Sequence, residues 1–122
     1  MKIRIKENSV RFRLTPTEVK KFCEEGQIKK TTQFNTTTFV YGVKQKQIEK
    51  LQVDFNDNTI TLNVPESFVN DWYDNDVVGL EHYENLSNGD KFFLLLEKDF
   101  ACLDNTHEDQ SDKYPNPKAG KC

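Results

Sequence analysis

The sequence predicts an α+β domain dominated by antiparallel strands, and three observations carry that reading. Apolar and polar residues alternate with period two over several short segments, the mark of half-buried strands. Helix signals are confined to two short stretches. One run, "KFFLLLEK" at 91–98, is apolar on both faces and suits a central strand. Together they describe one curved sheet of about seven or eight strands, able to close into a barrel, with two short helices over its ends. Short connections in consecutive order favour a meander.

The opening "KIRIKENSVRFRL" reads as two strands, 2–6 and 9–14, joined by the turn formers of "ENS". Ile3, Ile5, Val10, Phe12 and Leu14 alternate with Lys2, Arg4, Lys6, Arg11 and Arg13. One face of the hairpin is therefore apolar and the other cationic. The simplest register sets Arg4 near Arg13 and Lys6 near Arg11, and like charges placed so are mildly destabilising unless something offsets them.

"TPTE" at 15–18 is a helix start: Thr15 caps, Pro16 suits the first helical position and Glu18 completes a capping box. Val19, Phe22 and Cys23 give the apolar stripe of a helix over 16–25, which Gly26 ends. Thr-rich, aromatic segments at 28–34 and 37–44 follow as strands. In "LQVDFNDNTITLNV", Leu51, Val53 and Phe55 share one face with Ile60, Leu62 and Val64, and Asn56–Asn58 form the turn of a hairpin. "PESFVNDWY" reads as a short helix burying Phe68 and Trp72, "VVGLEHY" at 77–83 as a strand, and "SNGD" at 87–90 as a turn. No internal repeat is visible in the residues.

At 122 residues the chain makes one domain. An aromatic content of 11%, with nine Phe, argues for a packed core despite 30% charged residues. There is no apolar stretch long enough to span a bilayer and no apolar leader pattern. Three cysteines, Cys23, Cys102 and Cys122, are an odd set without a recurring short spacing, a poor disulfide framework. These features predict a cytoplasmic protein.

Net charge is −3 but lopsided: residues 1–30 carry nine Lys/Arg against four Glu, and the other 92 carry eight against sixteen acids. Such asymmetry speaks of partners and local fields rather than fold. The cationic set Lys2, Arg4, Lys6, Arg11 and Arg13 is the leading candidate site, because arginine offers a planar fork to phosphate or carboxylate. The same residues also serve as solvated guards on an outer strand pair. An acidic overall balance, and the lack of aromatics among these basic positions, argue against a nucleic-acid surface.

Other constellations carry less. Cys102, His107, Asp109, Asp112 and Cys122 have metal-binding types without zinc-site spacing, and "DNTHEDQSD" lacks the Gly and closing Glu of an EF-hand loop. No metal and no cofactor is expected. His82 shares strand parity with Val78 and Leu80 and reads as an inward-facing residue rather than a catalytic base. No nucleophile elbow, P-loop, zincin or dinucleotide motif is present.

"MKIRIKENSVRFRLTPTEV", "VGLEH", "LLLEKDFACLD" and "YPNP" resemble a family of small bacterial proteins classed only as a domain of unknown function, nearly end to end. The resemblance carries no activity. It implies a bacterial setting, and that the acidic, Pro-containing tail at 101–122 packs at least in part on the domain of residues 1–100.

The function expected is a non-enzymatic binding or interaction module whose cationic face meets a small anion or an acidic partner, a second subunit included. The alternative is a metal-assisted hydrolase of a phosphorylated substrate, with Glu97, Asp99 or tail acids holding the metal. A third reading is a structural accessory subunit without a ligand. Cations on an open outer face favour binding; cations lining a barrel lumen favour the hydrolase.

Overall fold

Eight strands and two short helices form this α+β chain, and the strands are divided between two four-stranded sheets facing one core. The computed structural model describes residues 1–100; the segment 101–122, with the tail residues Cys102, His107, Asp109, Asp112 and Cys122, lies outside the described residues. The order is β1 (Lys2–Ile5), β2 (Ser9–Leu14), α1 (Pro16–Glu25), β3 (Gln27–Gln33), β4 (Thr38–Lys46), β5 (Gln52–Asn56), β6 (Thr59–Pro65), α2 (Glu66–Val69), a 3-10 turn (Trp72–Asp74), β7 (Gly79–Asn85) and β8 (Lys91–Lys98).

The topology corrects the expected single curved sheet. One sheet runs β1-β2-β8-β7 and the other β3-β4-β6-β5. Each consists of two antiparallel hairpins joined through a parallel pair of central strands, β2 with β8 and β4 with β6. The meander therefore fails, and no barrel closes. Hairpins are specified by local turns, but a parallel pair needs a long crossover. Here the whole second sheet is the crossover between β2 and β8.

The core joins both sheets. Val10, Phe12, Leu14, Leu94 and Leu96 come from the first, Ile28, Val43, Ile60, Leu62 and Val64 from the second, and Val19, Phe22, Val69 and Trp72 from the helical connections. Phe55 departs from expectation: it is opposite Ile60, but on an edge strand it remains 68% exposed.

Local signals explain the elements. Helix α1 has the full capping box, Pro at its first turn and Gly26 in the left-handed region at φ 81°. The turn between β5 and β6 has Asp57 and Asn58 at φ 51° and 58°, the paired positive values of a type I′ hairpin. Trp72 is fully buried, tilts against Phe68 at 5.0 Å and donates its Nε1–H to Val77 O at 2.8 Å.

Glu18 has a second duty beyond the cap. It accepts the Thr15 N–H at 2.9 Å and pairs with the Met1 ammonium. Burial by itself raises its pKa, but the hydrogen bonds from the ammonium and from Thr15 outweigh that and hold it below the usual 4.5. A depressed folded pKa stabilises the fold above the unfolded value and loses that contribution as pH falls through the folded one. Glu18→Gln is therefore expected to cost roughly 1–2 kcal/mol at neutral pH and to flatten the fall in stability below pH 4.5, as read in urea melts across pH. An unchanged acid slope would refute that role.

Candidate anion-binding face

The cationic residues lie on the outer face of the first sheet. Along β2, Val10, Phe12 and Leu14 are 2%, 0% and 0% exposed, so period two sends Arg11 and Arg13 to the opposite side. The register differs from the simplest expectation. Lys2 opposes Arg13 and Arg4 opposes Arg11, because Lys6 and Ser9 exchange backbone hydrogen bonds of 3.1 and 3.0 Å around a two-residue turn. Glu7 adopts φ 49° there, and the Ser9 hydroxyl donates to Lys6 O at 2.7 Å.

Opposed like charges need an offset, and β8 and the residue after it supply it. Parallel pairing puts Glu97 beside Arg13. Glu97 Oε1 accepts from Arg13 Nε at 2.6 Å and lies 3.7 Å from Arg11 Nε. Asp99 Oδ2 is 3.1 Å from Lys2 Nζ. Glu97 and Asp99, two of the carboxylates weighed as metal ligands, are thus engaged with the cationic set. Arg4 and Lys6 have no ion-pair partner among the described residues.

Two shallow concavities open on this face. One of about 360 Å³ is lined by Lys2, Ile3, Arg4, Arg11 and Arg13. The second, about 150 Å³, is lined by Arg4, Lys6, Ser9, Val10, Arg11 and Phe93. All five residues singled out in the sequence therefore border one or other depression.

Phe93 escaped the sequence reading. It lies beside Ser9 across the β2–β8 pair and opposite Tyr83 across β7–β8. The Phe93 and Tyr83 rings are tilted with centroids 4.7 Å apart. The signal was the outward apolar parity of "KFFLLLEK": Phe93 and Leu95 share the face of Arg11 and Arg13.

Other singled-out residues do not join the face. His82 opposes Leu94, with the inward parity expected, and is half-buried. Cys23 is half-buried; burial pushes its thiol pKa up, and Sγ donates to Val69 O at 3.1 Å. A protonated, hydrogen-bonded thiol is a poor nucleophile. Among the described residues no three of His, Cys, Asp and Glu gather to hold a metal, and no helix is long and apolar enough to cross a membrane.

The fold and face define a small α+β domain of two mixed sheets with one cationic outer surface. Residues 1–118 match the model of a family of unknown function, DUF7009. The chain belongs to that family. Searches of curated proteins and of solved structures return no match.

Proposed function

We propose that this protein is a binding module whose cationic face takes up an anion, a small phosphorylated or carboxylated compound or the acidic group of a partner. The observation that supports it most is the placement of Arg4 and Lys6. They lack an ion-pair partner among the described residues and border a depression shared with Arg11. Arginine next to lysine in a concavity suits an oxyanion, one as a planar fork and the other as a point charge. The face is also open rather than a lumen, and Glu97 is engaged with arginines, which favours binding over metal-assisted hydrolysis. A cytoplasmic setting goes with this reading, supported by the free thiol of Cys23, which suits a reducing compartment; a bacterial setting rests on the sequence resemblance alone.

The test is a thermal-melt panel with phosphate, pyrophosphate, triphosphate and dicarboxylates, each with and without magnesium. An anion at about 100 times its Kd adds roughly 2.7 kcal/mol, a rise on the order of 10 °C for a domain this small. Arg4→Glu/Lys6→Glu is expected to abolish that rise while leaving the ligand-free melt within about 0.5 kcal/mol, as exposed substitutions usually do. A flat panel for the unaltered protein, or an undiminished rise in the double variant, would refute the assignment.

A further inference from the structure

We infer that the Phe93–Tyr83 pair is the second half of this site and that the ligand is a nucleotide, its phosphates on Arg4, Lys6 and Arg11 and its base against the rings. The inference deepens the anion-binding reading and rests on it.

The first sheet carries its outward side chains in rows across the four strands. One row is Lys2, Arg13, Glu97 and Gly79; the next is Arg4, Arg11, Leu95 and Glu81; in the third, Ser9, Phe93 and Tyr83 follow Lys6. Cations thus occupy the β1–β2 half, while the β8–β7 half carries Leu95, Phe93 and Tyr83 beside the acids Glu97 and Glu81. Phe93 stands at the junction, lining the same depression as Arg4, Lys6 and Arg11.

Tyr83 is 61% exposed, so a large ring is held in water against Phe93, the ring that borders the cationic depression. A bare anion has no use for that surface. A ligand with a flat π-face joined to phosphate uses both halves, because stacking on an aromatic ring and ionic contact to phosphate are additive, independent recognitions. The sequence argues against nucleic acid by its acidic balance and by the lack of aromatics among the outward basic positions, since Phe12, between Arg11 and Arg13, belongs to the opposite, buried face. The sheet supplies aromatics sideways, from strands more than seventy positions distant.

The scale of the depressions and the acids around them select a mononucleotide over a polymer. The depression that Phe93 shares with Arg4, Lys6 and Arg11 is about 150 Å³, below the roughly 300–1,000 Å³ of pockets that enclose a whole ligand. It therefore seats the phosphates while the base lies outside it on the rings. Glu81, Glu97 and Asp99 edge the face, and they would repel a long phosphate backbone.

The experiment is calorimetric titration of the whole chain with ATP, inorganic triphosphate and a short oligoadenylate at fixed ionic strength, repeated with Tyr83→Ala and Phe93→Leu. Inorganic triphosphate carries at least as much negative charge as ATP, so charge alone gives ATP no advantage. The unaltered protein is expected to bind ATP at least about tenfold more tightly than triphosphate. Tyr83→Ala, at an exposed site, is expected to erase that preference and leave triphosphate affinity within about twofold; Phe93→Leu keeps bulk and should act in the same direction. Equal affinity for ATP and triphosphate, or a preference that survives both variants, overturns the nucleotide assignment while leaving the anion site standing. Tighter binding of the oligoadenylate than of ATP overturns the mononucleotide assignment. Binding of none of the probes overturns the anion reading itself.

Discussion

Trp72→Ala is expected to destabilise the fold by about 3–5 kcal/mol, the range for emptying a fully buried aromatic site. That is a large part of the total stability of a domain of this size, roughly 5–15 kcal/mol. The position explains the size of the effect. Trp72 lies in the connection that carries the chain from the second sheet back to the first, between β6 and β7. Its ring meets Phe68 on one side and has Lys98 Nζ at 5.7 Å from its centroid. Lys98 in turn donates to Asn75 O at 2.7 Å. The turn holding the indole also contacts α1. Trp72→Phe separates packing from the polar handle: it keeps most of the apolar volume but leaves Val77 O without its donor, a loss of about 1–3 kcal/mol. Denaturant melts read both variants. A cost below about 1 kcal/mol for the alanine variant would show that the connection does not depend on this side chain.

Glu97→Gln is expected to raise affinity for inorganic triphosphate by about tenfold. Glu97 lies within reach of both Arg13 and Arg11, so an incoming anion competes with a charge already in place. Two unit charges at 4 Å interact by about 4 kcal/mol at an effective dielectric of 20, and screening at half-exposed groups reduces that to a fraction. A tenfold change corresponds to about 1.4 kcal/mol. The gain should shrink with added salt. Calorimetric titration at two ionic strengths checks it. A loss of affinity instead would mean that Glu97 orients the arginines for the ligand rather than competing with it. A loss seen only with magnesium present would favour the hydrolase reading.

What was legible in the sequence is what neighbouring residues decide among themselves. Helix α1 begins and ends where Thr15, Pro16, Glu18 and Gly26 say it should. The β5–β6 hairpin follows from Asp57 and Asn58 in its turn. The two faces of β2 follow from alternation alone. Pairings between distant segments were not legible, because nothing in Arg13 or Leu95 names its neighbour on another strand. For that reason the residues alone suggest a meander, give Glu97 a role only as a metal ligand of the alternative hydrolase rather than as an arginine partner, and show Phe93 and Leu95 only as bulk in a central strand. The hairpin register failed for a smaller reason: Glu7 accepts a positive φ, which glycine or asparagine would have signalled and glutamate does not.

The pairing of Arg13 with Glu97 joins positions 84 apart in the chain, and every β2–β8 register pair has the same offset. Closing that loop is the largest entropic demand any strand pairing of residues 1–100 makes, and the second sheet, made of hairpins and shorter crossovers, is complete in sequence before β8 begins. Arg11 on one side of the seam and Phe93 on the other become neighbours only when it is shut. A ligand that touches both binds the closed form alone, so by mass action its binding free energy is added to that seam. Occupancy would then act as a non-covalent staple, fastening the start of the domain to its last strand.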